Sequence, residues 1–190
     1  MSDIENLRDT ITPKSDQLNA DDLINTTRVI RVTAVKRGSN KDQPISIEYS
    51  GMEGRPYKPC KSMRRVLLAA WGDDGREWTG RSMKLYTDPE VKFGGVKVGG
   101  IRISQLSHME KEMKIMLTAS KGKRDESRIT RLPTYPDADF TEKSPQWIAA
   151  IKAGKITLDE LIDKVAVNGI LTEAQIGVLN EQRETRESND

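Results

Sequence analysis

The sequence predicts a mainly β fold built as a small barrel with one helix inserted between its strands, followed by a helical appendage at the C-terminus. Three observations carry this expectation. β-branched and apolar residues alternate through much of residues 26–119 between clear turn signals. One stretch inside that region, residues 61–71, switches to helical spacing. Helix-start signals then crowd the last quarter of the 190-residue chain, whose length suits one ordinary domain or a small domain with an appendage.

Residues 1–22 are polar and acidic without sustained periodicity and are expected to be flexible. The barrel is expected over residues 23–120. Its first strand, Thr26 to Arg37, is apolar on both faces, as a curved strand shared between two sides of a barrel would be. Gly38 to Asp42 is a turn, and Ile45, Ile47 and Tyr49 share one face of a second strand. Gly54, Pro56 and Pro59 break the following loop. Met63, Val66, Leu67, Ala70 and Trp71 then form the apolar stripe of a helix that Gly72 closes. Met83 and Leu85 share a face of the next strand, opposite Lys84 and Tyr86. Residues 91–98 read as a hairpin turning at Gly94-Gly95, and Gly99-Gly100 leads into Ile101-Arg102-Ile103. A last strand, Glu112 to Ala119, places Met113, Ile115 and Leu117 together.

Residues 121–143 hold several Lys and Arg and few apolar side chains, and are expected to be a basic linker. Residues 144–186 should form a small helical bundle ahead of a tail at 187–190. Ser144-Pro145 looks like an N-cap followed by proline at the first helical position, and Thr157…Glu160 and Thr172…Gln175 fit the capping box.

Composition narrows the function. The mean hydropathy is −0.64, with 32% charged residues and no apolar run long enough to span a bilayer, and the first residues lack a signal-peptide pattern. No membrane association and a cytoplasmic location in a bacterial host cell are therefore expected. One cysteine, Cys60, and one histidine, His108, rule out ordinary zinc fingers and leave little for nucleophilic catalysis. The net charge of +2 conceals a division: residues 1–25 carry −4, residues 26–133 carry +11, and residues 134–190 carry −5. A basic middle between acidic ends points to a polyanion-binding domain.

Single-stranded nucleic acid is held by cations that follow its phosphates and by rings that stack on its bases. The candidate binding residues are Arg28, Arg31, Lys58, Lys61, Arg64, Arg65, Arg81, Lys84, Lys92, Lys97 and Arg102, with Trp78, Tyr86 and Phe93 as candidate stacking rings. Trp71 and Tyr49 are expected in the core. The glycine pairs read as hairpin geometry, since neither matches a phosphate-binding loop. Asp73, Asp74, Glu77, Asp88 and Glu90 read as solvated turns rather than a two-metal nuclease site. Cys60 is expected to be a small buried residue where the helix begins. No catalytic residue, metal or cofactor is expected.

The stretch Pro56-Tyr57-Lys58-Pro59-Cys60-Lys61-Ser62-Met63-Arg64-Arg65-Val66-Leu67, followed by Trp71, Gly80 to Tyr86, Asp88-Pro89, Phe93-Gly94-Gly95 and Val98 to Ser104, resembles a family of small phage and prophage proteins. The resemblance covers residues 23–120. It implies a product of a phage recombination or replication module and brings no catalytic residue set. The strand order also resembles an oligonucleotide-binding (OB) barrel, except that two strands rather than three precede the helix.

The expected function is non-enzymatic binding of single-stranded DNA in a phage or mobile-element recombination or replication system. The acidic helical C-terminus would support homo-oligomerisation or recruit a recombinase, an annealing protein or a replisome component. The alternative is a phage interaction module that inhibits a host nuclease or defence complex.

Overall fold

The first strand, β1 (Thr27–Arg37), serves two neighbours. Thr27 to Arg31 pair antiparallel with β3 (Ser82–Asp88), while Val32 to Arg37 pair with β2 (Ile45–Tyr49), and the register slips between Val32 and Ala34. A bulge at such a slip adds twist and lets one strand turn from one partner to the other. The computed structural model describes residues 15–120 and 123–187. Their remaining strands are β4 (Lys92–Phe93), β5 (Val96–Lys97), β6 (Gly100–Leu106), β7 (Met113–Ser120) and β8 (Lys123–Arg131), and their helices are α1 (Lys61–Trp71), α2 (Asp137–Lys152), α3 (Leu158–Val165) and α4 (Glu173–Glu187). The fold is mixed, mainly β with α.

One six-stranded sheet runs in the order β2-β1-β3-β6-β8-β7. Its outermost strands are not bonded to each other, so the sheet is open. After β2, Ile47 forms an isolated antiparallel bridge with Tyr57, and α1 begins four residues later. The sheet's inner face buries Ile30, Val32, Ile47, Met83, Leu85, Ile103 and Leu106 against Met63, Val66, Leu67 and Trp71 of α1. This is the apolar stripe read from the helical spacing. Gly94 and Gly95 both take positive φ, 59° and 88°, in the two-residue turn that joins β4 to β5.

Tyr57 is 2% exposed, and its hydroxyl is buried without a hydrogen-bond partner. Burial pushes its phenol well above the ordinary tyrosine range. An orphaned hydroxyl costs free energy that phenylalanine avoids. Tyr57→Phe is therefore expected to leave stability unchanged or raise it by about 1 kcal/mol, read as the urea midpoint at constant m. A comparable loss would show that the hydroxyl is satisfied in solution.

Three segments differ from their sequence reading. Leu18, just before the turn at Ala20–Leu23, and Leu23, its last residue, are buried in the main core, so residues 15–22 pack on the sheet instead of standing free. Residues 1–14 of the expected flexible terminus lie outside the described residues. Residues 123–131, within the expected linker, form β8, which pairs along β7 and anchors through the fully buried Ile129. α2 starts at Asp137, with Pro145 inside it and Ser144 buried, because Phe140 extends the apolar stripe one turn earlier. Both capping boxes are formed: Thr157 and Glu160 bond reciprocally, as do Thr172 and Gln175.

The helices enclose a second core of Phe140, Ile151, Leu158, Leu161, Ile162, Val165, Leu171 and Leu179 around Tyr135. Backbone bonds between Tyr135 and Ile170, and between Ile170 and Pro133, tie it to the chain leaving the sheet. No helix among the described residues is long and apolar enough to cross a membrane.

Candidate nucleic-acid interface

Pairing registers decide which cations share a surface. With Met83, Leu85 and Ile103 facing the core, Lys84, Tyr86 and Arg102 fall on the outer face of the sheet, with Tyr86 directly opposite Arg102. Arg102 lies near the strand's start and reaches around it. One guanidinium nitrogen lies 3.5 Å from Cys60 Sγ at the start of α1, and its Nε lies 3.7 Å from an Asp88 carboxylate oxygen. Cys60 is exposed at the helix N-cap and makes no capping hydrogen bond, contrary to the buried position expected for it.

Arg102 thereby joins Lys58 and Lys92 in lining one cleft of about 640 Å³. Its walls are the loop between β1 and β2 (Asp42, Gln43), the β3–β6 connection that carries the Gly-Gly hairpin, and the N-terminal segment at 17–21. Lys61 follows Cys60 into the first turn of α1, which contains no acidic residue. Helix N-termini favour anions, and this first turn bears a lysine and no carboxylate of its own. The cleft is not purely basic. Asp21 and Asp42 also line it, and Lys58 is paired with Asp16 at 2.7 Å, which holds the Asp16 carboxyl below its ordinary range.

The other candidates divide into cations engaged elsewhere and cations on separate surfaces. Arg31 is bound by the acidic face of α3, 2.7 Å from Asp159 and 3.5 Å from Asp163. It holds the helical appendage to the sheet. Arg81 lies over the Trp71 ring at 5.9 Å and donates to the Trp71 carbonyl. Arg28 lies over Tyr49 and donates to the Gly51 carbonyl, and Arg64 donates to that of Asp42. Lys97 pairs with Glu90 across the hairpin. Arg65 is exposed on α1, and Lys84 sits half-buried on the outer sheet face.

The stacking rings separate similarly. Trp78 is only 3% exposed, packed edge-on against Trp71 at 6.0 Å, with its indole N–H on the Gly72 carbonyl, so it is a core residue and not a platform for bases. Tyr86 is half-buried on the outer face, and its burial raises its phenol pKa. The Phe93 side chain lies outside the described residues.

The loop carboxylates are held locally. Asp74 accepts hydrogen bonds from Nε and one terminal nitrogen of the Arg76 guanidinium and from the Arg76 backbone, which pulls its carboxyl down to about 2, and Glu90 is lowered by Lys97. Among the described residues, no three His, Cys, Asp or Glu side chains converge as a metal site requires. His108 sits at positive φ with Nδ1 2.8 Å from Ser107 Oγ, and partial burial, with Arg81 nearby, lowers its pKa.

What the sequence could not reveal was the part played by residues 17–21 and 42–43 in the cleft. They carry no periodic or basic signal and reach it only through chain packing. Compared with known protein families, curated proteins and solved structures, the chain matches none.

Proposed function

We propose that the chain is a non-enzymatic single-stranded DNA-binding protein and that its strand-binding surface centres on the cleft between the β1–β2 loop and the β3–β6 connection. The observation that carries this reading is the convergence of Lys58, Lys92 and Arg102 there, from three separate parts of a domain of charge +11, beside the acid-free start of α1. We read the open sheet as an OB-like barrel. β1 divides its pairing between β2 and β3, β3 pairs with β6, and the Tyr57 bridge before α1 occupies the place of the missing third strand. OB barrels bind oligonucleotides with the loops that correspond here to residues 38–44 and 89–99, and both border the cleft.

The resemblance of residues 23–120 to phage and prophage proteins supports a recombination or replication setting. In that setting the acidic helices serve homo-oligomerisation or contact a recombinase, an annealing protein or a replisome component. Fluorescence anisotropy of a labelled dT oligonucleotide across a salt series tests the strand-binding reading. Contacts to three phosphates should give a log–log slope of about −2. Absence of binding, or binding indifferent to salt, overturns the reading.

A further inference from the structure

The C-terminal segment carries a net charge of −5, yet three of its lysines, Lys143, Lys155 and Lys164, line a single cleft of about 510 Å³ that has no Asp or Glu in its walls. None of the three makes an ion pair among the described residues. Lys143 Nζ instead donates to the Tyr135 hydroxyl at 3.2 Å and lies 5.7 Å from the centre of that ring. The Tyr135 hydroxyl first, and then Asp139 and Glu142 nearby, raise the Lys143 pKa, but neither carboxylate lines the cleft.

Trp147 forms another wall. It packs edge-to-face with Tyr135 at 5.5 Å and with Phe140 at 6.1 Å, which fixes its ring. Trp71 and Trp78 donate their indole N–H groups to the carbonyls of Ser107 and Gly72, but the Trp147 indole has no acceptor among the described residues. Gln146 and Asn168 add two amides to the same walls. A braced aromatic ring, an unused indole donor, two amides and three ammonium groups suit a ligand with a flat heteroaromatic part and an anionic part. The volume falls within the range of small-molecule sites, about 300–1,000 Å³.

We propose that this cleft binds a nucleoside phosphate, its base against Trp147 and its phosphate among Lys143, Lys155 and Lys164, supplied as a free nucleotide or as one nucleotide of a strand. The site shares no lining residue with the cleft beside α1, and the proposal stands whether or not that cleft binds DNA.

Tryptophan fluorescence of the full chain tests it, because Trp71 and Trp78 are each 3% exposed and Trp147 is the indole that a ligand in this cleft would touch. Thymidine 5′-monophosphate should quench the emission saturably, with thymidine binding about tenfold more weakly for want of the charged contacts. The double variant Lys155→Glu/Lys164→Glu changes two exposed side chains, so it should keep its circular dichroism and thermal midpoint while losing about tenfold or more in affinity. A dT oligonucleotide that quenches at lower concentration than the mononucleotide identifies the strand as the source, and the reverse order identifies the free nucleotide. Absence of saturable quenching by both, or equal affinity in the folded double variant, overturns the proposal.

Discussion

Trp78→Ala is expected to cost about 3–5 kcal/mol of stability, the largest loss from any single substitution considered. The ring lies where the end of α1, the turn at Gly75–Trp78 and the start of β3 meet. It packs against Trp71, whose own indole N–H bonds the Ser107 carbonyl at 2.9 Å. Truncation would leave a cavity beside Trp71 and free the Gly72 carbonyl that Trp78 now satisfies at 3.2 Å. Trp78→Phe fills most of the space and should lose less. Urea denaturation checks both variants. A stable Trp78→Ala variant with weakened DNA binding would restore Trp78 as a stacking residue and overturn its assignment to the core.

The second large effect concerns the cations of the proposed interface. Replacing Lys58, Lys92 and Arg102 together by glutamine should flatten the log–log salt slope by about 2 and lower affinity for a dT oligonucleotide by about 30-fold to 100-fold at low salt, as expected when about three phosphate contacts vanish. Arg31→Gln supplies the contrast. Its guanidinium is bound by Asp159 and Asp163, so its loss should loosen the docking of α3, seen as faster hydrogen exchange in residues 158–165, and leave the slope nearly unchanged. If Arg31→Gln alone reproduces the effect of the triple variant, the strand runs over the outer sheet face near α3 and not through the cleft beside α1.

These contrasting expectations for residues of one type show where reading the sequence succeeds and where it stops. Both capping boxes and the Gly94-Gly95 turn were legible because each depends on bonds or dihedral angles spanning only a few residues. The core faces of α1, β3 and β7 were legible because period and burial coincide there. β8 was not, since its residues are mostly charged and its strand state rests on pairing with β7 and on the single buried Ile129. At α2, Ser144 before Pro145 imitates a helix start, whereas Phe140 draws the helix back to Asp137 by packing into the second core.

By itself, the sequence determined the mainly β character, the position of α1, the order of the segments and the net positive charge of residues 26–133 between net acidic ends. These follow from local periodicity, from turn chemistry and from composition, each of which a linear chain displays directly. Only the tertiary structure decided that Trp78 is core, that Arg31 is committed to α3, that the sheet is left open and that Lys58, Lys92 and Arg102 meet at one cleft. Each of those outcomes depends on which distant partner reaches a side chain or strand edge first, and a cation in the sequence looks the same whether a carboxylate more than a hundred residues away will neutralise it or leave it to a phosphate.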